Sequence, residues 1–437
     1  MHILFLLVGS NPLPDYTVGD YLLKSERQDK NELPLPDLIV LVHSEETKRF
    51  AQILKGKFKH KRREIKVELI DLKDKENDPK NIKNILNNFL EKKNNISSLH
   101  LNFTGGKKTM SVYTYMIIYN YAKKNEKKAI FSYLDPDKHW LVLEDSRHFP
   151  TDNDLRRKVF LNINTLLELH DMEIKNQGKE KPLYKEIMNE EKFNEVVKYI
   201  LQTITEDRKK WKSEMDKFRE RFSDKIKTKT GKLKKKTKLI EEIKKANEDG
   251  IFESLFNHSF GLLKNNKYDV EQAEKFPSFY KFVTGGWLED LVLITLQKLQ
   301  KEEKIKVNDI RKNIKAKYKG RETEIDIIVI KGYEMFLISC TTDNGIGLVK
   351  QKAFEAIYRA QQLGGEHAKV IVVSLMDNTR ENDRDNNLEE LKKDLSQFDA
   401  ARNAGQNLIG IDEIRKELGL SRQGVSLSEK LISIIEQ

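Results

Sequence analysis

Apolar residues in the first third of the chain fall in short unbroken runs. Ile3 to Val8, Leu38 to His43, Ile65 to Leu69, Ser98 to Phe103 and Ala129 to Leu134 have strand length, with helical spacing between most of them. Continuous apolar strands separated by amphipathic helices predict an α/β domain with a parallel, doubly wound sheet covered on both faces. Sheets of that kind bind ligands at the carboxyl ends of their strands. From Asp152 to about Phe282 the pattern changes to dense Lys and Glu with helical periodicity, as in Phe193 to Ile204 and Trp211 to Ile226. Past Gly285 a globular pattern returns. Trp287 to Leu299 reads as an amphipathic helix, Glu324 to Thr341 as a hairpin, Lys350 to Leu363 as a helix and Val370 to Ser374 as an apolar strand. Leu388 to Gln437 is helical and charged, with a strand-like Leu408 to Ile411. The expected organisation is a ligand-binding domain over 1–150, a charged helical connector over 151–282 and a second α/β domain over 283–437.

The hairpin carries the most chemistry. Glu324-Ile325-Asp326-Ile327-Ile328-Val329-Ile330 is its first strand, 331–334 its turn and Met335 to Thr341 its second strand. Strand alternation puts Glu324 and Asp326 on one face and Ile325, Ile327 and Val329 on the other. An acidic pair at a strand end suits a divalent cation, Mg or Mn, and metal-assisted phosphodiester cleavage needs such oxygen ligands. Asp326 is the strongest candidate ligand, because an acid midway along an apolar strand is costly to bury without a partner; a structural ion pair is its rival. Glu289 on the preceding helix reads as a solvated carboxylate or a partner for a lysine, and Asp309, before the hairpin, as a further acid.

At the amino-terminal end, one strand runs into Gly9-Ser10-Asn11-Pro12 and another into Asn102-Phe103-Thr104-Gly105-Gly106-Lys107-Lys108, followed by a helix. Glycines at a strand-to-helix turn let backbone amides approach a phosphate, and a lysine adds charge. Alone, Gly105-Gly106 reads as a tight turn with Thr104 or Thr109 capping the helix. Two polar loops at one sheet edge shift the reading toward ligand binding. The spacing matches neither a Walker motif nor a dinucleotide fingerprint.

The 437 residues allow two or three domains, and a net charge of +11 with pI ≈ 9.1 suits a polyanionic partner. Lys225 to Lys245 is the most basic stretch and reads as a solvated face or as a DNA or RNA contact. The single cysteine, Cys340, permits no intramolecular disulfide and points to a reducing cytosol and a structural thiol. The apolar start, Met1 to Gly9, is too short for a signal or a membrane span. His43 and His367 lack neighbours at ligand spacing.

Two resemblances join these observations. The helix, hairpin, helix and strand order, with Glu324-x-Asp326, resembles the PD-(D/E)xK nuclease superfamily, a restriction-endonuclease-like fold. That pattern puts an acid-x-Lys triplet on the second strand; here the triplet reads Ser339-Cys340-Thr341, so threonine stands where lysine is expected. Lys350 or Lys352 at the start of the next helix is the candidate replacement, with Lys352 preferred. The Thr104-Gly105-Gly106-x-Lys108 loop with the Gly9 to Pro12 loop, Lys107 and Thr17 resembles the CARF domain of type III CRISPR systems, a Rossmann-like sensor of cyclic oligoadenylates. Gly286-Trp287-Leu288-Glu289 also resembles CARF nucleases, a resemblance that makes Glu289 a candidate metal or water-positioning ligand. The resemblance implies a homodimer whose two CARF domains share one pocket, an activator such as cyclic tetra-adenylate, and an allosterically gated, metal-dependent cleavage of DNA or RNA in an antiviral response. The alternative is a weak or inactive nuclease fold in a sensor that acts by binding nucleic acid.

Overall fold

The computed structural model describes residues 1–27, 29–152, 154–176, 178, 180–226, 270–318, 320–365, 368–377, 388–397 and 407–437. His367 and all but the first two residues of the Lys225 to Lys245 stretch lie outside the described residues. The amino-terminal sheet is built from β1 (His2–Leu7), α1 (Leu13–Leu22), β2 (Leu38–His43), α2 (Lys48–Lys61), β3 (Lys66–Asp71), α3 (Pro79–Glu91), β4 (Ser98–Asn102), α4 (Lys108–Lys124) and β5 (Lys128–Asp135). Two short strands, β6 (Trp140–Leu143) and β7 (His148–Phe149), complete it. Its order is β3-β2-β1-β4-β5-β6-β7, parallel through β5 and antiparallel beyond. The apolar runs therefore form a Rossmann-like sheet in which the order of strand addition reverses between the parallel neighbours β1 and β4. Ligand loops of such sheets collect at that reversal.

The segment that follows is α5 (Ile163–Leu169), β8 (Glu173–Asn176), α6 (Glu190–Glu206), α7 (Arg208–Ile226) and α8 (Val270–Lys281). A π-helical turn over Phe282–Gly286 leads into α9 (Trp287–Lys301). Then come β9 (Asp309–Tyr318), β10 (Arg321–Lys331), β11 (Glu334–Thr341), α10 (Ile346–Gly364), β12 (Lys369–Ser374), α11 (Leu388–Ser396), β13 (Leu408–Ile409), α12 (Ile411–Glu417) and α13 (Leu427–Ile435). The second sheet runs β13-β12-β11-β10-β9-β8. Thus the charged stretch is more than a spacer: it adds the edge strand β8, and its helices α6 and α7 bury Phe193, Val197, Ile200, Phe218 and Phe222 in the core that covers α9. Among the described residues, no helix is long and apolar enough to cross a membrane.

Asp309, expected in a loop, instead opens the ten-residue β9, which pairs along almost the whole of β10. A second difference concerns the faces of β10. Ile325 packs into the core shared with the first domain, whereas Ile327 and Val329 pack on the opposite side against the helical core. On β9, Ile314 and Ile310 divide in the same way. The paired strands change faces between the Ile325–Ile314 and Ile327–Lys312 pairs, where Asn313 has φ +55. Asp326 sits at this switch. Strict alternation breaks there because an Asn in the left-handed region turns the strand, which its short polar side chain tolerates better than most.

The two sheets are joined by one continuous apolar core. Leu13, Leu134, Leu155 and Leu166 from the first half meet Ile328, Tyr333, Leu337, Val349 and Leu363 from the second. The β10–β11 turn presses into this junction. Gly332, at φ +65, would place a Cβ 2.3 Å from the Arg156 carbonyl oxygen, its N–H donates to Asn308 Oδ1 at 2.7 Å, and its carbonyl accepts from Leu161 N–H at 2.8 Å. Gly332→Ala should therefore lower unfolding stability by about 1–3 kcal/mol from the backbone conformation alone, with any clash adding to it. Gly320→Ala, at φ +83 with nothing within 4 Å, should lose less. Denaturant melts followed by circular dichroism compare the two; equal losses would contradict the wedge.

Candidate functional site

The loops after β1 and β4 touch. A Cβ on Gly9 would stand 3.0 Å from Gly106 N, and one on Gly105 would stand 2.2 Å from the Leu7 carbonyl. Gly106 has φ +77. Only residues without a side chain allow the two backbones so close. The second loop is braced from within: Leu134 N–H donates to Thr104 Oγ1 at 2.7 Å, Thr104 N–H to Asn102 Oδ1 at 3.3 Å, and Asn102 Nδ2 to Ser132 Oγ at 3.0 Å. Asn102 is fully buried and so acts as a brace beneath the loop.

Lys107 immediately precedes α4 and pairs with Glu76 at 2.5 Å and Glu46 at 3.8 Å, while Lys108 opens the helix exposed. Pro12 precedes α1, where Asn11 Oδ1 accepts from Leu13 N–H at 3.1 Å. Thr17 does not belong with these residues. It is fully buried and its hydroxyl donates to the Leu13 carbonyl at 2.9 Å, one helical turn back. A residue absent from the sequence reading lies under both loops: the wholly buried Asp15, whose oxygens stand 3.0 and 3.2 Å from the Gly105 Cβ position. Burial holds its carboxyl well above the ordinary range, offset in part by Gly9 N–H.

Above the loops is a cavity of about 550 Å³. One wall is Gly9, Ser10, Asn11 and Thr104 to Gly106, with Pro136 and His139; the other is Tyr333, Glu334, Gln361, Gly364 and Gly365 from the second domain. Its size lies within the ~300–1,000 Å³ of small-molecule sites. The amino ends of α1 and α4 open toward it, which favours anionic groups. The far wall is the β10–β11 turn, held by a buried polar network. Tyr333 Oη lies 3.1 Å from His139 Nδ1; Glu334 accepts from Arg156 at 2.8 Å and pairs with Lys369 at 3.2 Å. Burial pushes His139 down to about 4, leaving the ring neutral at pH 7. Glu334, which burial alone would raise, is kept below the usual range by Lys369, His139 and Arg156. Sequence spacing gives no sign that Tyr333, Gln361 and Gly364 meet the glycine loops, because the encounter is tertiary.

The second cluster lies at the other end of the same hairpin. Asp326 Oδ2 accepts from Cys340 N–H at 2.9 Å and Ser339 Oγ at 3.2 Å. Glu289, in the first turn of α9, faces it. Burial, then the Asp326 charge, lifts Glu289 to about 7, and Glu324 acts on it less than Asp326 does. Burial also raises Asp326, against the opposing pull of Cys340 N–H, Lys352 and Ser339. The acids brought together are thus Glu289 and Asp326. Glu324 is half exposed and pairs with Lys315 at 3.2 Å, a consequence of the face switch at Asp326. Asp309 stands at the opposite end of β9, opposite Ile330, where it accepts from Ile163 N–H at 2.9 Å and Arg311 at 3.1 Å; it ties α5 to the sheet and has no place in this cluster.

Thr341 is buried with its hydroxyl on Asp343 at 3.2 Å. Lys350 pairs with Asp394 at 2.8 Å, whereas Lys352, half exposed with Glu355 at 3.8 Å, is the α10 lysine whose charge acts on Asp326. A buried cation missed by sequence reading is Lys312, which ion-pairs with the equally buried Asp290 and lies 4.0 Å from Glu289. Asp290 also accepts from Leu183 N–H at 2.8 Å and Tyr184 N–H at 2.6 Å. Cys340 is half-buried, and burial raises its thiol well above the ordinary range.

Among the described residues, no set of three His, Cys, Asp or Glu stands at metal-ligand spacing. Glu289 and Asp326 nonetheless fit a Mg or Mn ion that takes one or two protein carboxylates and completes its shell with water and phosphate. Both carboxyls are raised by burial, and their mutual repulsion is the kind a cation between them relieves.

A Rossmann-like sheet with paired glycine loops, backed by a mixed sheet with an acidic hairpin, defines a two-domain α/β architecture. Residues 22–165 match the family model for the Card1 CARF domain, and the amino-terminal domain is a CARF domain. No curated protein matches the chain by sequence. Among solved structures, Can2 from Sulfobacillus thermosulfidooxidans, in complex with cyclic tetra-adenylate, is 16% identical with a TM-score of 0.59, covering 100% of this chain and 99% of that one. Protein VC1899 from Vibrio cholerae is 15% identical with a TM-score of 0.58, covering 100% and 98%. Both share the fold along their full length.

The raised Glu289 carboxyl has a measurable consequence. Its folded value of about 7 exceeds the ordinary 4.5, so the folded state binds a proton more tightly than the unfolded chain and loses stability as pH rises between those values. In metal-free buffer Glu289→Gln should stabilise the protein by up to roughly 3 kcal/mol above about pH 7.5, converging on wild type near pH 4.5. Thermal melts across that range check it; a difference independent of pH would refute the assignment.

Proposed function

We propose that the chain is a cyclic-oligoadenylate-activated, metal-dependent nuclease of a type III CRISPR antiviral response. The observation that carries this reading is the cavity whose one wall is the CARF glycine loops and whose other wall is the turn of the hairpin bearing Asp326. A ligand there touches sensor and effector at once. Can2, whose fold the chain shares throughout, holds cyclic tetra-adenylate, and that ring is the expected activator. Its phosphates meet the Gly105–Gly106 amides and the amino end of α4, with Ser10 and Lys108 beside them.

The functional unit is a homodimer. Helix α4 presents Val112, Met116 and Tyr119 on one exposed stripe, at 55%, 48% and 46% exposure, a surface suited to a second copy related by a two-fold axis. Binding shifts the hairpins only to the extent that the ring binds one arrangement more tightly than another.

In the effector domain, Glu289 and Asp326 hold Mg or Mn, which supplies Lewis-acid activation of water and charge stabilisation at the phosphate. Asp326 is kept in place by the Cys340 N–H and the Ser339 hydroxyl. Lys352 takes the cationic role that Thr341 lacks, stabilising charge that develops on the phosphate oxygens. Glu324 remains at the rim and Lys315 holds its carboxylate. The buried Lys312–Asp290 pair keeps α9, and with it Glu289, in register with β9.

A second reading is a sensor whose effector domain binds nucleic acid without cutting it. Thr341, buried and engaged with Asp343, favours that reading, since no cation stands at its position.

Cleavage of supercoiled plasmid and single-stranded RNA, with Mg or Mn and with or without cyclic tetra-adenylate and hexa-adenylate, tests the proposal. Cutting should require both metal and ring, vanish in Asp326→Ala, and fall on the order of a hundredfold in Lys352→Ala. Tight ring binding without cutting on any substrate would leave the sensor reading in place.

A further inference from the structure

We propose that Gln361 is a specificity-determining residue that reads the edge of an adenine base in the cavity between the two domains. This role rests on the ring-sensing reading of that cavity. The side chains around the cavity are mostly spent on the fold. Thr104 Oγ1 accepts from Leu134 N–H, and Asn11 Oδ1 accepts from Leu13 N–H at 3.1 Å and lies 3.1 Å from His170 Nε2. Tyr333 lies on His139, and Glu334 is taken by Arg156 and Lys369. Gln361 differs from these: it is exposed, it lines the wall from the second domain, and its side-chain amide makes no hydrogen bond among the described residues.

The two walls suit different parts of a nucleotide. The wall from the first domain carries the glycine-loop amides and the amino ends of α1 and α4, which favour phosphate. The wall from the second domain carries the opposite end of a helix: α10 stops at Gly364, and Gly364 and Gly365 line the cavity. The carbonyl end of a helix disfavours anions and favours hydrogen-bond donors. Met335 and Ala368 add apolar ground for the flat face of a base. A phosphate thus belongs on the first wall and a base bearing an amine on the second. An amide there can accept from the adenine N6 amine while donating to N7. Guanine and hypoxanthine present O6 in place of the amine and leave the amide oxygen without a donor. The backbone under Gln361 is fixed by the sensor loop. Gly365, at φ +75, donates its N–H to the Gln361 carbonyl, and Asn11 packs so closely on Gly365 that a Cβ would overlap its amide.

Calorimetric titration of the full chain in EDTA, with cyclic tetra-adenylate and with the same ring built from inosine, tests the assignment. Wild type should prefer the adenine ring by about fivefold to a hundredfold for each base read, the range of one bidentate base contact. Gln361→Ala should lose most of that preference. Gln361→Lys, whose ammonium donates to O6 and N7, should shift it toward the inosine ring. Gln361 is exposed, so both substitutions leave the core intact, and thermal melts check that they do. Equal binding of the two rings by wild type, or a ratio of affinities unchanged in Gln361→Ala and Gln361→Lys, would overturn the base-reading role and leave ring sensing standing. A wild type that binds neither ring would overturn both.

Discussion

The structure depends on one hairpin anchored at both ends. The β10–β11 turn is wedged between the two domains, with Glu334 buried among Arg156, Lys369 and His139 and Tyr333 on the His139 ring. At the other end Asp326 is held by the neighbouring strand. Breaking a buried, multiply paired carboxylate costs several kcal/mol, because the remaining charges are left without partners. The turn therefore cannot move without its network moving with it. The cavity roofed by this turn is joined to the acids by a paired strand rather than by a loop.

The charged groups divide by environment. Lys312 and Asp290 are entirely buried and satisfy each other, with two backbone N–H groups completing the Asp290 carboxylate. Glu289, one residue away, faces Asp326 instead and is raised. Burial raises both adjacent acids, but Asp290 is held by Lys312 and two backbone N–H groups, whereas Glu289 has that lysine only at 4.0 Å and meets the charge of Asp326. That contrast separates a structural ion pair from a site more clearly than exposure does.

The sheet strands were legible because buried parallel strands are apolar throughout, and the five runs from Ile3 to Leu134 match β1 to β5 within a residue or two. The glycine loops were legible for the same local reason. What escaped was tertiary. Asp309 looked like a loop acid because little in the sequence marks β9, a lysine-rich strand whose few apolar residues, Ile310, Ile314 and Ala316, keep no strict alternation. Glu324 looked like the partner of Asp326 because alternation was assumed to continue, whereas the face switch at Asn313 breaks it. Thr17 looked available although its hydroxyl is used one helical turn back. Glu289 and Lys352 were reached through resemblance; Lys312, Asp15 and Tyr333 had no local signal, since each acquires its role from a neighbour on another element, Asp290, Gly105 and His139.

The shared cavity also constrains how regulation operates under the proposed function. Coupling between two sites is a difference in binding free energy, and it is reciprocal. If the ring favours one position of the Tyr333–Glu334 turn, and that position brings Asp326 and Glu289 to the spacing a divalent ion requires, then the ion must in turn tighten the ring. The raised carboxyls make the ion-free arrangement the strained one. The metal and the activator would then act on a single equilibrium of the hairpin, each counteracting one part of what disfavours the competent state, and neither needs to be strong enough alone to hold it there.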